Sequence, residues 1–177
     1  RNYGKSSLIN LITGQSIAIV SDMPGTTTDP VRKTMEVKGV GPVVWIDTAG
    51  VDDEGELGQL RVMKTNEAMK HVDLAIIVFS DNAFDTVEET LVATCHELKI
   101  PFLLVYTKAD LVPPRASFVQ EIEHRYESNV LVVSDKDVDS QTLLLDAIRS
   151  SLPETAYVHK SLLGGVINPG ETIVLVT

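Results

Sequence analysis

The chain has 177 residues, 44% hydrophobic and 23% charged, the proportions of a globular protein with room for one substantial core. Its net charge of -10 argues against a broad basic footprint for nucleic acid or anionic lipid, without forbidding a local cationic loop. A single cysteine, Cys95, allows no intramolecular disulfide and lends no support to an oxidising compartment. No apolar run nears the roughly 18–20 residues that cross a bilayer and no signal-like segment opens the chain, so no membrane partner and a cytoplasmic location are expected.

Residues 1–7, Arg-Asn-Tyr-Gly-Lys-Ser-Ser, run straight into an apolar helical repeat at Leu8, Ile9, Leu11 and Ile12, with Gly14 as a stop. Residues 21–30, rich in turn formers and hydroxyls, read as a long loop. Strand patterns follow over 31–37 and 43–46, the second ending at Asp47. An acidic, glycine-containing loop reaches Gly58, and helical spacing covers 60–69. Further strands are expected at 74–79, 102–106 and 130–133, with helices at 87–98, after Pro113-Pro114 through Tyr126, and at 143–152. Strands alternating with helices at this spacing predict an α/β domain with a largely parallel sheet. From Pro153 the pattern breaks, so residues 1–153 read as one domain and 154–177 as a linker and the first strand of another.

Several polar motifs fall at the ends of predicted strands, the edge where open α/β sheets bind ligands. Gly4-Lys5-Ser6 matches the second half of a phosphate-binding loop. Gly4 lets backbone N–H groups turn toward an anion, Lys5 supplies a point charge for phosphates, and the Ser6 hydroxyl suits Mg²⁺. The helix N-terminus adds partial positive charge there. Asp47-Thr48-Ala49-Gly50 suits a carboxylate holding Mg²⁺ through water and a glycine N–H reaching a terminal phosphate; a plain strand-end turn is the alternative. In Thr107-Lys108-Ala109-Asp110, a fixed Asp110 carboxylate could accept from the N1–H and exocyclic amine of guanine, whereas adenine offers a bare acceptor at N1. Such a site can discriminate by roughly 10⁴-fold. A polar turn before proline is the bland reading.

Taken in order, Gly4-Lys5-Ser6, Thr26 to Thr28, Asp47 to Gly50, Thr107 to Asp110 and Ser134-Asp135-Lys136 resemble the five nucleotide-binding motifs of small GTPase domains. The resemblance implies a P-loop, Ras-like fold, with a mostly parallel sheet flanked by helices on both faces, binding GTP or GDP. Nucleotide contacts then fall on Asn2, Tyr3, Gly4, Lys5, Ser6, Ser7, Thr107, Lys108, Asp110, Ser134, Asp135 and Lys136. Mg²⁺ falls on Ser6, Thr27 and Asp47, and the γ-phosphate on Gly50. Asn2 and the loop 22–27 are similar to the potassium-dependent, TrmE/Era-like GTPases of tRNA modification and ribosome assembly. That similarity implies K⁺ at Asn2 in place of an arginine finger.

Within that group, Thr26 to Val31, Asp52 to Arg61 and Pro169 to Thr177 look like the maturation GTPases of [FeFe]-hydrogenase. This closer resemblance implies a hydrolytic switch in a dimeric parent chain. Its later domains dimerise and carry an iron–sulfur cluster, its partners are hydrogenase and other maturation proteins, and no cluster sits on these 177 residues. Nucleic acid is not an expected partner of that parent; tRNA modification, ribosome assembly or a nucleotide-sensing scaffold is the alternative.

Departures bear on chemistry. Val51 stands where Ras-like proteins carry a water-positioning glutamine and cannot orient water, so intrinsic hydrolysis is expected to be slow. The catalytic set is therefore Lys5, Thr27, Gly50, Glu54 and Glu56, although a solvated acidic run also explains Asp52 to Glu56. Thr107 replaces the commoner asparagine, and Asp135 the usual alanine. Cys95 and His96 do not share a helical face, which argues against a metal pair. The resemblance also places a central first strand before Arg1. Without it, the strands ending at Asp47 and Phe79 would be left with unpaired edges. Another segment in that slot would count against this alignment of motifs.

Overall fold

The computed structural model describes residues 4–14, 31–47, 68–134, 136–153 and 172–176; the side chains of Ser6, 31–33, Asp47 and 172–176 are not described. Among the described residues the helices with both ends described are α1 (Lys5–Thr13), α2 (Thr86–Leu98), α3 (Ala116–Tyr126) and α4 (Val138–Ser151). The strands are β1 (Val31–Val37), β2 (Gly41–Asp47), β3 (Leu74–Phe79), β4 (Phe102–Tyr106), β5 (Val130–Val132) and β6 (Thr172–Val176). They form one sheet in the order β1-β2-β6-β3-β4-β5, parallel except for β1, which pairs antiparallel with β2.

The central strand shows how the chain makes two cores. All six residues of β3 are buried, and the twofold alternation of a strand divides them. Leu74, Ile76 and Val78 join Leu8 and Ile12 of α1 and Leu144 and Ile148 of α4; Ala75, Ile77 and Phe79 join Leu91, Val92 and Cys95 of α2 and Ile122 of α3. Helices therefore cover both faces. Trp45 of β2 lies fully inside the first core, and its indole N–H meets no acceptor among the described residues.

Local chemistry sets the helix ends. Asp85 and Glu88 form a capping box at α2, where the Asp85 N–H donates to Glu88 Oε2 at 2.8 Å. The N-terminus of α4 lies five residues before the expected Leu143, because Asp137 caps it by accepting from the Asp139 N–H at 3.2 Å. Of the expected helix over 60–69, only 68–69 fall among the described residues, and they are helical.

One expectation fails. The slot between β2 and β3 is filled, not by a strand before Arg1, but by β6, with Val43 opposite Thr172, Asp47 opposite Val176 and Ile76 opposite Val176. The segment expected to begin another domain thus has its backbone in this sheet. The physical reason is general. Two bare parallel edges present unpaired N–H and C=O groups, and the β-branched, uncharged run Thr-Ile-Val-Leu-Val satisfies both. The same residues that suggested a strand did not say which sheet would take it.

Candidate functional site

Gly4 opens α1 in the left-handed region (φ 84°), and its carbonyl accepts from the Leu8 N–H at 2.8 Å. A β-carbon there would lie 3.3 Å from Thr107 Oγ1 and 3.7 Å from Lys108 Cε, so the lack of a side chain lets the backbone at the start of α1 close on the loop after β4. Thr107 is buried. Its N–H and Oγ1 both donate to the Phe79 carbonyl, at 2.9 and 3.3 Å. In place of an asparagine amide, a threonine hydroxyl thus occupies the seam between the two loops.

Lys108 has a left-handed backbone (φ 57°), and its carbonyl accepts from the N–H groups of Leu111 and Val112 at 2.9 and 3.0 Å. This tight turn presents Asp110. Asp110 Oδ1 accepts from Ser134 Oγ at 3.0 Å and Oδ2 from Lys136 Nζ at 2.7 Å. The Lys136 bond, aided by Ser134 and opposed by burial, holds the Asp110 carboxyl below the usual carboxylate range. Ser134 is fixed in turn, since its N–H donates to Ser140 Oγ at 3.1 Å, and Ser140 Oγ donates to Asp137 Oδ2 at 2.8 Å.

These groups surround one cleft of about 180 Å³. Gly4, Ser7, Thr107, Lys108, Asp110 and Lys136 form its polar wall, and Leu8, Leu11, Leu111 and Val133 its apolar one. The structure therefore brings together residues from the first, fourth and fifth motifs, which lie between positions 4 and 136 of the sequence. Lys5 is the first residue of α1 and half-buried; Ser6 lies in the first turn, and Asp47 ends β2 at the same sheet edge. Asn2, Tyr3, Thr27, Gly50, Glu54, Glu56 and Asp135 lie outside the described residues.

Sequence reasoning missed Asn82, Tyr106 and Ser140, which touch the loops from behind. Only Asp137-x-x-Ser140, a helix-start pattern, offered any signal. Away from the cleft, Cys95 is buried while His96 is exposed and meets the Phe102 ring edge-on at 5.2 Å. Among the described residues no cluster of three His, Cys, Asp or Glu could hold a metal, and no helix is long and apolar enough to cross a membrane.

The sheet order, the two helix layers and a glycine-started helix at the strand C-terminal edge define the P-loop GTPase class of fold. A family model described as "50S ribosome-binding GTPase" matches residues 1–108, and the chain belongs to that family; it is a GTPase domain. The tRNA modification GTPase MnmE of Nitrosomonas europaea is 38% identical over 117 residues, covering 64% of this chain and 26% of its own length. MnmE of Endomicrobium trichonymphae is 35% identical over 137 residues, 73% of this chain and 29% of its own. The chain thus spans about a quarter of the length of these relatives.

Among solved structures, Aquifex aeolicus Era bound to GDP.AlF4- aligns with TM-score 0.67 at 22% identity, over 86% of this chain and 54% of its own. Era with MgGDPNP and a segment of 16S ribosomal RNA aligns with TM-score 0.66 at 21%, over 94% and 57%. Both show the fold. The family match over residues 1–108 takes in the first three motifs and Thr107-Lys108 of the fourth, so it is independent of what fills the slot. What fails is the premise that only a strand before Arg1 could sit there.

Proposed function

We propose that the chain is a GTP-binding and GTP-hydrolysing switch domain, and that the cleft between Gly4 and Lys136 takes the guanine nucleotide. One observation carries this reading. A side-chain-free helix start and a carboxylate kept ionised by its neighbours line the same cleft, with apolar side chains between them. A purine fits between the Lys108 stem and the apolar wall. Asp110 accepts from its N1–H and exocyclic amine, and the α1 N-terminus meets the phosphates. Lys5 and the Gly50 N–H complete the phosphate contacts.

Ser6, Thr27 and Asp47 would hold Mg²⁺, and their oxygen donors suit a hard cation; the backbone of α1 and β2 brings Ser6 and Asp47 to one edge. The metal supplies neutralisation of charge on the transferring phosphoryl group. Asn2 would hold K⁺. With Val51 unable to orient water, Glu54 and Glu56 are the candidates for that role.

The test is phosphate release from GTP and ATP, each in Na⁺ and K⁺. GTP turnover faster in K⁺, with ATP inert, is expected; equal rates in both salts remove the K⁺ assignment. Asp110→Asn replaces an acceptor with a donor and is expected to move preference from GTP to XTP, whose base carries an oxo group in place of the amine.

The relatives support tRNA modification or ribosome assembly as the process served. The run Asp52 to Arg61 favours [FeFe]-hydrogenase maturation instead. Three ligand cysteines later in the parent chain decide for the second and their absence for the first. In either case the switch loops, about 21–31 and 51–58, pass nucleotide state to attached domains. Loss of turnover in Asp47→Asn with the process intact points to a sensing scaffold in which hydrolysis is incidental.

A further inference from the structure

The carboxylate proposed to read the base is already engaged on both oxygens, and its two partners are anchored very differently. Ser134, on Oδ1, is buried, pinned through its N–H by Ser140 Oγ, and its hydroxyl accepts from the Lys136 N–H at 3.2 Å. Lys136, on Oδ2, has a side chain 71% exposed, against 18% for Asp110, on a stem with four rotatable bonds. Ser134 belongs to the framework of the cleft. The Lys136 ammonium reaches in from solvent.

Guanine presents two donors along one edge and needs both carboxylate oxygens. A carboxylate offers about four lone-pair sites, so Oδ1 can serve Ser134 and the base together. Oδ2 already holds the Lys136 ammonium at 2.7 Å, so an exocyclic amine arriving there would bring a second set of positively charged hydrogens to the same oxygen. We propose that Lys136 is a displaceable occupant of Asp110, and that the guanine exocyclic amine must move it off Oδ2 before the base is fully read. Hypoxanthine lacks that amine, needs only one oxygen and leaves Lys136 in place. Lys136 therefore lowers guanine affinity and narrows the margin between guanine and hypoxanthine. This inference rests on the guanine reading of the cleft.

The pair is mostly exposed on the lysine side, so its displacement is a small effect, about threefold to fivefold in affinity at low salt. Salt screens it further. The experiment is calorimetric titration of the protein, Lys136→Met and Lys136→Arg with GDP, IDP and ADP, at low and at high salt. Lys136→Met is expected to bind GDP about threefold to fivefold more tightly than wild type, with IDP within about twofold and the gain shrinking at high salt. Lys136→Arg keeps the charge and is expected to bind GDP no more tightly than wild type. GDP affinity unchanged or lowered in Lys136→Met, or a gain shared equally by IDP, overturns the proposal while leaving the guanine site intact. ADP binding to the wild-type protein as tightly as GDP, or binding of neither, overturns the guanine reading and this proposal with it.

Discussion

The backbone N–H of Asn82 donates to the hydroxyl of Tyr106 at 3.2 Å, joining the turn after β3 to the last residue of β4. From there both side chains reach the segment just after Asp110. Tyr106 Oη donates to the Val112 carbonyl at 2.8 Å, Asn82 Nδ2 donates to the Pro113 carbonyl at 3.3 Å, and Asn82 Oδ1 accepts from the Arg115 N–H at 2.6 Å. Asn82 itself is left-handed (φ 54°), a conformation asparagine tolerates better than most residues. Asn82→Ala removes two side-chain bonds and adds backbone strain; Asn82→Gly removes the bonds alone. Urea denaturation is expected to show a loss of about 1–3 kcal/mol for alanine and less for glycine. GDP affinity should fall in both. A glycine variant with unchanged GDP affinity would show that the loop keeps its place without the clamp.

Gly4 and Thr107 set the approach of the start of α1 to the loop after β4. In Gly4→Ala the new β-carbon sits 3.3 Å from a buried hydroxyl on a backbone that already has φ 84°. The left-handed conformation alone costs a non-glycine residue about 1–2 kcal/mol. A loop that relaxes out of this conformation must be forced back to bind, so nucleotide affinity is expected to drop about fivefold to thirtyfold, at about 1.4 kcal/mol per decade. Thr107→Val keeps the shape and loses the bond to the Phe79 carbonyl, which retains the Thr107 N–H. Its expected cost is about 1 kcal/mol by thermal unfolding, with nucleotide affinity nearly unchanged.

Hydrophobic periodicity shows where the sequence is informative. Strand β3 is apolar at every position and buried at every position, so its place inside the sheet was legible. The first turn of α4 was not, because Val138 is 88% exposed and Leu143 45%, and apolar spacing says nothing about a turn held by Asp137 and Ser140. The polar turns after β4 and β5 were legible because each closes an apolar strand, and they meet through Asp110, Ser134 and Lys136. Asn82 was not, since its bonds reach 24 to 33 residues away and nothing local marks them. The tail is the instructive miss. Thr172 to Val176 has the composition of a strand wherever it pairs, and only the vacancy between β2 and β3 decides that it pairs there.

Burial pushes the Cys95 thiol up to about 12. An unfolded thiol releases its proton near pH 8.5, so between about 8.5 and 12 the unfolded chain holds fewer protons than the folded one. Stability therefore falls as pH rises through that window. Cys95→Ala is expected to flatten the decline in melting temperature above about pH 9. At pH 8 the native thiol should resist iodoacetamide and react fully in denaturant. Rapid native labelling would place Cys95 nearer the surface than the second core allows.

Asp110 gives the opposite sign. Its carboxyl is lowered, first by the Lys136 bond, so the folded state favours the ionised form. An ordinary aspartate in the unfolded chain titrates near 3.9, and the stabilisation is fully present above that value. It is lost as pH falls through the lower folded value, because the unfolded chain takes up its proton first. Lys136→Met removes the largest cause and moves the folded value back up. The stability gap between wild type and variant should therefore be constant near neutrality and close on acidification. On the proposed guanine reading of the cleft, GDP binding follows the same group, since a protonated carboxyl cannot accept from both base donors. As pH is lowered from about 6 toward 3, GDP affinity should begin to fall at a higher pH in Lys136→Met than in wild type. Fluorescence titration across that range measures it, and coincident profiles would show that Lys136 does not govern the Asp110 charge.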